Sequence, residues 1–142
     1  MEKAEDGSPD IPITISSQKV DLNNQKREAL YYGDVKVTRA DMTLTADTLK
    51  VLFRETDQGI HVIHARGHVK IWWKDRYAEA EEGIYDEHAQ TILLTGFPKT
   101  WYDENMVRGE SITYDLKEDK VVVEGGVETI IQVEPGSVGK AP

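Results

Sequence analysis

The chain has 142 residues, of which 39% are hydrophobic, and it carries a formal net charge of −9. This length is typical of a single domain with a buried core. The acidic balance argues against nucleic-acid binding, because phosphate recognition needs a basic surface, whereas the absence of cysteine leaves the redox compartment open.

The two ends of the chain differ from its middle. Residues 1–10 and 134–142 are rich in Glu, Gly, Ser and Pro and offer little to bury. Such segments do not gain enough from burial to offset the entropy lost on folding. We therefore expect disordered tails at 1–10 and 134–142 around one domain at 11–133.

A small residue followed by an acid or amide recurs four times along the chain. The four small-acid pairs are 29, 34 and 29 residues apart: Ser17-Gln18, Ala46-Asp47, Ala80-Glu81 and Gly109-Glu110. A glycine follows each pair, at Gly33, Gly67, Gly96 and Gly125. The longer interval is explained by a polar stretch at Glu55 to Gly59, which is typical of a lengthened turn. A fixed period of this size indicates one supersecondary unit stacked on copies of itself.

Apolar and polar residues alternate within each unit, as in strands with one dry face. Val35 and Val37 follow the first glycine, with Asp34 and Lys36 between them. The parity of the apolar positions changes at Ala46-Asp47. This change predicts a bulge at each small-acid pair, which bends the strand and keeps its apolar side inward. A glycine on the neighbouring strand fits the bend, because it allows close backbone approach.

Polar turn residues separate the apolar runs, for example at Asn23-Asn24-Gln25 and Lys74-Asp75. No stretch carries a helical period. The pattern predicts an all-β fold of consecutive antiparallel strands, bent into two facing sheets in a jelly-roll-like layout. More than half of residues 13–133 should be in strands. Pro98 occupies the position of Val35 and Val69, so its strand is predicted to be an edge or locally unpaired.

The inward positions form one continuous apolar surface, which has two interpretations. It is either an ordinary sandwich core or, if the sheets splay at one side, a groove that accepts an acyl chain. Trp72 and Trp73 are neighbours on one strand and so should point outward and inward, respectively. Tyr31, Tyr85 and Tyr114 fall on inward positions, where each is either a packed ring or a hydroxyl at a groove rim.

Histidines give the only hint of an enzyme. His61 and His64 are spaced so that they point to opposite faces of a strand, and His68 lies on the outward face. This arrangement does not match a metal site, and no nucleophile with a base partner is present. We expect no catalytic residues, no metal site and no cofactor.

Two segments carry the clearest copies of the repeat: Tyr32-Gly33-Asp34-Val35-Lys36-Val37 before Leu44-Thr45-Ala46-Asp47, and Leu94-Thr95-Gly96 before Gly109-Glu110-Ser111-Ile112-Thr113-Tyr114. With four copies in register from about Ile13 to Val133, the chain resembles the OstA-like domain family of periplasmic lipopolysaccharide-transport bridge proteins. The resemblance implies a twisted, V-shaped, open-ended β jelly-roll, built here from repeats of about 29 residues, whose interior holds the acyl chains of lipid A. In this sequence the implied lipid-binding residues are Val35, Val37, Leu44, Val51, Phe53, Val69, Ile71, Trp73, Leu94, Ile112 and Tyr114.

The resemblance also implies partners and a location. The expected partners are lipopolysaccharide, the inner- and outer-membrane components of its transport machinery, and further copies of the chain joined head to tail. A periplasmic location is expected, with a secretion signal removed ahead of Met1.

The end strands are the expected self-association edges, because an unpaired edge invites another chain. Their residues are Ile13 and Ile15 at the start and Val127, Thr129 and Ile131 at the end. The alternative to lipid transport is a structural assembly or adaptor protein, or the periplasmic domain of the inner-membrane partner, without its own lipid cargo.

Overall fold

The computed structural model describes residues 11–57 and 59–133. The predicted disordered tails at 1–10 and 134–142 lie outside these residues, as does Gln58 in the predicted lengthened turn. The extent of the domain at 11–133 therefore stays a prediction.

Twelve strands and no helix make up the described part of the chain. They are β1 (Thr14–Ser16), β2 (Lys19–Asn23), β3 (Glu28–Arg39), β4 (Met42–Phe53), β5 (Ile60–Trp73), β6 (Arg76–Asp86), β7 (Thr91–Thr95), β8 (Lys99–Tyr102), β9 (Asn105–Arg108), β10 (Ser111–Asp115), β11 (Lys120–Glu124) and β12 (Glu128–Ile130). These strands hold more than half of residues 13–133, and the all-β prediction is confirmed.

All strand pairs are antiparallel and belong to one sheet, which a line of bulges divides into two halves. The four long strands β3 to β6 cross this line, which we call the seam. On one side, half-sheet A has the order β1-β3-β4-β5-β6-β8-β9-β12. On the other, half-sheet B has the order β2-β3-β4-β5-β6-β7-β10-β11.

The seam is formed by the sequence repeat. The side chain of each small-acid pair packs against the glycine that follows it in sequence, and these glycines have φ between +83° and +86°: Gln18 on Gly33, Asp47 on Gly67, Glu81 on Gly96 and Glu110 on Gly125. At Gln18, Glu81 and Glu110 the backbone N–H donates to the carbonyl of the facing glycine, for example from Glu81 to Gly96 at 3.1 Å. A Cβ at any of the four glycines would overlap the facing side chain. The predicted bend and close approach are confirmed. The extra residue of each bulge, however, lies on the glycine strand, as at Gly67-His68, and not at the small-acid pair that faces it.

Pro98 interrupts the chain between β7 and β8 rather than forming an edge. It is buried, and the preceding Phe97 has a φ of +54°. Strand pairing resumes at Lys99, where β8 lies between β6 and β9. The prediction of local unpairing at Pro98 is confirmed. Of the two predicted alternatives, an edge or local unpairing, the structure has the second, because the chain leaves the ladder only where proline lacks a donor.

The two half-sheets face each other across a shared core. The Trp73 ring of half-sheet A lies 5.8 Å from the Tyr114 ring of half-sheet B, measured between centroids. The Tyr114 hydroxyl lies 2.7 Å from Thr100 Oγ1 of half-sheet A. Gly83 leaves room where Leu94 and Val69 approach from the two sides. These contacts close the sheet into the predicted jelly-roll-like layout.

Candidate functional site

A cleft of about 370 Å³ lies between the half-sheets, toward the turns that are distant from the seam. Half-sheet A contributes Val37, Met42, Leu44 and Trp73 to its walls, and half-sheet B contributes Ile63, Ile92 and Leu116. Ile11 and Ile13, which precede β1, line it as well. Strand alternation produces this surface, because inward positions of paired strands meet across the space. The cleft is an apolar site with polar groups only at its mouth.

One side of the mouth is spanned by a hydrogen-bond network centred on Tyr85. Arg39 Nη1 of half-sheet A donates to the Tyr85 hydroxyl at 3.2 Å, and that hydroxyl donates to Glu87 Oε1 at 2.6 Å. Gln90 Nε2 also donates to the hydroxyl at 3.2 Å. Burial, followed by the bond to Glu87, raises the pKa of Tyr85 to about 12. The hydroxyl therefore stays protonated and remains a donor.

On the other side of the mouth, Lys74 lines the cleft, and ion pairs beside it join Lys74 and Arg76 to Asp119 of half-sheet B. Arg76 Nη1 donates to Asp119 Oδ1 at 2.8 Å, and Lys74 Nζ donates to Asp119 Oδ2 at 3.3 Å. The guanidinium of Arg76 packs between Trp73 and Tyr102, at 5.0 and 5.2 Å from the ring centroids. The bonds from Arg76 and Lys74 hold the pKa of Asp119 below its usual range.

The structure separates the eleven predicted lipid-binding residues into three groups. Three line the cleft: Val37, Leu44 and Trp73. Seven are enclosed in the core, with at most 1% of their surface exposed: Val35, Val51, Val69, Ile71, Leu94, Ile112 and Tyr114. Phe53 is half-buried beside Leu22, at the end of half-sheet B. Contact of any of these residues with a ligand stays a prediction.

Sequence reasoning missed several residues of the cleft. Met42 precedes Leu44 by two positions and shares its face, so alternation was a sufficient signal for it. The same holds for Ile92 beside Leu94. No pattern in the sequence identifies Arg39 and Gln90 as residues of the cleft, because polar residues near turns are common.

The tyrosines at inward positions differ in their surroundings. Tyr114 is fully buried, and its hydroxyl bonds within the core to Thr100. Tyr85 instead lines the cleft and presents its hydroxyl at the mouth. Tyr31 is half-buried and packs against the core. Of the three tyrosines, only Tyr85 has its hydroxyl at the rim of the cleft, which is one of the two interpretations that the sequence allowed.

The predicted self-association residues lie at or beside edge strands. β1 and β12 are the edges of half-sheet A, and β2 and β11 are those of half-sheet B. Ile15 belongs to β1 and packs against the core, whereas Thr129 belongs to β12. Val127 and Ile131 flank β12 and are 50% and 65% exposed. Their role in association stays a prediction.

The outer face of half-sheet A carries a row of aromatic rings. Trp72 packs on Tyr77 with centroids 5.2 Å apart, and Tyr77 packs on Trp101 at 5.3 Å. Trp72 is 42% exposed and Trp73 is buried, which confirms their predicted orientations.

The histidines do not converge on one point. His68 Nδ1 lies 2.8 Å from Asp47 Oδ2 on the outside of the seam, and this bond raises the pKa of His68. In the residues that the structure describes, no three His, Cys, Asp or Glu side chains are grouped so as to hold a metal ion. Within the same residues, no helix is long and apolar enough to cross a membrane.

A bent antiparallel sheet that encloses an apolar cleft defines a jelly-roll module. The chain belongs to the family described as LptA/(LptD N-terminal domain) LPS transport protein, whose model matches residues 14–120. This match confirms the OstA-like resemblance. The family description is that of a transport protein, which agrees with the expectation that the chain is not an enzyme.

The chain is also similar to individual proteins of lipopolysaccharide export. The lipopolysaccharide export system protein LptA of Escherichia coli K12 is 27% identical over 121 residues, which cover 81% of this chain and 65% of that protein. LptA of Shigella flexneri has the same values. The match thus spans less than two thirds of the length of these relatives. The crystal structure of LptH, the periplasmic LptA homologue of Pseudomonas aeruginosa, matches with a TM-score of 0.77 at 21% identity, covering 86% of this chain and 96% of LptH.

Proposed function

We propose that this chain binds the acyl chains of lipopolysaccharide in the cleft between its half-sheets and carries the lipid across the periplasm toward the outer membrane. Its partners are the inner- and outer-membrane components of the same transport machinery. The family match and the names of the relatives support the cargo and the location. The domain that performs this role is the one predicted at 11–133.

The observation that carries the proposal is the apolar cleft. Its volume of about 370 Å³ lies within the range of roughly 300–1,000 Å³ that is usual for ligand pockets. A buried methylene contributes about 0.8 kcal/mol, so a chain of about a dozen carbons gains on the order of 10 kcal/mol before the costs of ordering and association. A transporter needs such a balance, because its cargo must bind and also leave.

The free sheet edges support assembly into a bridge. Among the residues that the structure describes, one end of the module presents β1 and β2 and the other presents β11 and β12, so each half-sheet has one free edge at each end. Head-to-tail pairing between copies extends both half-sheets together and brings successive clefts into line.

The alternative is a structural assembly or adaptor protein without its own lipid cargo, including the periplasmic domain of an inner-membrane partner. The same free edges support it, because they favour assembly whether or not the cleft is filled. Occupation of the cleft by an acyl chain separates the two functions.

Photo-crosslinking in cells tests the proposal. A photoreactive amino acid is placed at Val37, Met42 or Leu44 in the cleft, and at outward Lys36, Thr43 or Thr45 beside them on the same strands. We expect lipopolysaccharide adducts at the first set only, because adjacent strand positions differ in face rather than in location.

Two enclosed positions provide a second control. Ile71 and Tyr114 have 0% exposure, so capture there requires the half-sheets to separate. Equal capture on both faces, or no capture at any cleft position in a folded protein, would exclude the cleft as the lipid site and favour the structural function.

A further inference from the structure

The ion pairs that cross the mouth of the cleft take their cations from half-sheet A and their anions from half-sheet B, and Asp41, in the turn after β3, is a carboxylate of half-sheet A that also lines the cleft. Arg39, Lys74 and Arg76 are on half-sheet A, whereas their carboxylate partners Glu87 and Asp119 follow β6 and β10 on half-sheet B. Every ion pair across the mouth thus joins a cation of one half to an anion of the other. An anionic ligand that binds one of these cations therefore takes the place of an ion pair between the two half-sheets.

Arg39 contacts half-sheet B through a weak ion pair that a phosphate group is able to replace. Arg39 Nη1 lies 3.6 Å from Glu87 Oε1, and the Tyr85 hydroxyl bridges the two groups. The side chains of Arg39 and Glu87 are 36% and 27% exposed. A partly solvated pair at this separation is weak. A planar guanidinium binds two phosphate oxygens at once, which is a stronger interaction.

Lys74 and Arg76 differ in how firmly they are held. The Arg76 side chain is 11% exposed and packed between two rings, whereas that of Lys74 is 45% exposed. Lys74 Nζ also lies 5.0 Å from the centroid of Trp73, which is part of the apolar wall. Arg76 therefore anchors Asp119, and Lys74 is the cation that is free to move to a ligand at the boundary between the wall and solvent.

We infer that Arg39 and Lys74 recognise the anionic phosphate headgroup of an amphiphile whose acyl chain lies in the cleft, by exchanging Glu87 and Asp119 for phosphate oxygens. The exchange releases two contacts between the half-sheets at the moment the headgroup binds, so headgroup recognition and widening of the mouth are one event. This inference rests on the proposed function, because it assigns the headgroup chemistry of the same site.

Titration calorimetry with matched amphiphiles tests the inference. The folded protein is titrated with dodecyl phosphate and with neutral dodecyl maltoside, each below its critical micelle concentration. The Arg39→Ala and Lys74→Ala variants should each bind dodecyl phosphate about three- to tenfold more weakly, because each loses a charge-assisted hydrogen bond. Their affinity for dodecyl maltoside should change less than their affinity for dodecyl phosphate, because a neutral headgroup loses no ionic partner.

Removing the competing carboxylates gives the opposite expectation. Glu87→Gln and Asp119→Asn keep the side-chain shape but free the cations, so affinity for dodecyl phosphate should rise, by about two- to fivefold. Lys36→Ala, on the outer face of β3, is the matched control and should change neither affinity. Circular dichroism of each variant establishes that it is folded before the affinities are compared.

The outcomes separate this inference from the proposed function. Equal binding of the two amphiphiles, unchanged in the four mouth variants, would overturn headgroup recognition and leave the apolar cleft intact. Failure of the unmodified protein to bind either amphiphile would overturn both. Displacement of dodecyl phosphate by an equal concentration of inorganic phosphate would indicate a free-anion site and would also overturn the inference.

Discussion

The seam and the mouth of the cleft use different kinds of residues to join the same two half-sheets. At the seam, the contact between a glycine and a small-acid pair occurs four times, and its geometry is nearly identical in each copy. At the mouth, Arg39, Lys74 and Asp119 form contacts that no other repeat contains. The repeated contact fixes the bend of the sheet, and the unrepeated contacts give the cleft its chemistry. Substitutions at the seam should therefore affect stability, and those at the mouth should affect binding.

The largest expected loss of stability comes from the enclosed core beside the seam. Leu94→Ala removes a side chain with 0% exposure, and we expect it to lower the free energy of unfolding by about 3–4 kcal/mol through lost burial and a cavity. Leu116→Ala at the mouth should cost about 1 kcal/mol, because Leu116 is only partly buried against the cleft. Urea unfolding measures both. Similar losses would mean that the cleft is packed like the core.

The next largest effect is expected at a seam glycine. Gly67→Ala places a Cβ against the Asp47 side chain at a φ of +83°, and we expect a loss of about 3 kcal/mol from backbone strain and overlap. Gly126→Ala is the control, because its φ of +56° is also positive but no atom lies within 4 Å of the new Cβ. The control should cost about 1 kcal/mol. If the two variants lose equal stability in urea, the close approach at the seam does not restrict the side chain.

A smaller effect is expected where the halves meet between the seam and the mouth. Tyr114→Phe removes the hydroxyl that lies 2.7 Å from Thr100 Oγ1. We expect a loss of about 1 kcal/mol in the free energy of unfolding, which is typical of one hydrogen bond. The loss should stay small because Thr100 Oγ1 still donates to the carbonyl of Tyr77 at 3.2 Å. A loss as large as that of Leu94→Ala would contradict the assignment of the effect to one hydrogen bond.

The smallest effect is expected at the mouth, and it depends on pH. The pKa of Asp119 is lowered in the folded state, so the unfolded state binds more protons between the two pKa values, and stability rises with pH there. The contribution of Asp119 is fully present above its ordinary pKa of 3.8 and is lost as the pH falls through the folded value. The stability difference between the original protein and Asp119→Asn should therefore shrink as the pH is lowered below about 4. A difference that is independent of pH would contradict the ion pair.

The sequence was most informative where it repeats. Four copies of one pattern allowed the bend and the facing glycines to be predicted without knowledge of the tertiary structure, because the constraint is local to two paired strands. The inward and outward positions of Trp72 and Trp73 followed from alternation alone. At Pro98 the sequence left an edge and local unpairing open, because a single unpaired residue does not determine whether the strand continues beyond it.

The difference between cleft and core was not predictable from alternation. Val37 and Val35 have the same parity on β3, yet Val37 lines the cleft and Val35 is enclosed. What separates them is the distance between two half-sheets, which depends on the whole molecule. The ion pairs at the mouth escaped prediction for a related reason, since Arg76 and Asp119 are 43 residues apart in sequence.

The order of the strands bears on how the protein reaches its folded state. Each strand pairs only with strands that lie one to three positions away along the chain. A β protein with such neighbouring contacts has a low contact order for its class, which favours rapid folding. A chain that emerges from one end is able to add hairpins in sequence onto those already formed, without waiting for its far terminus. The same property means that a whole repeat is able to be inserted or lost while the topology of the remaining strands is preserved.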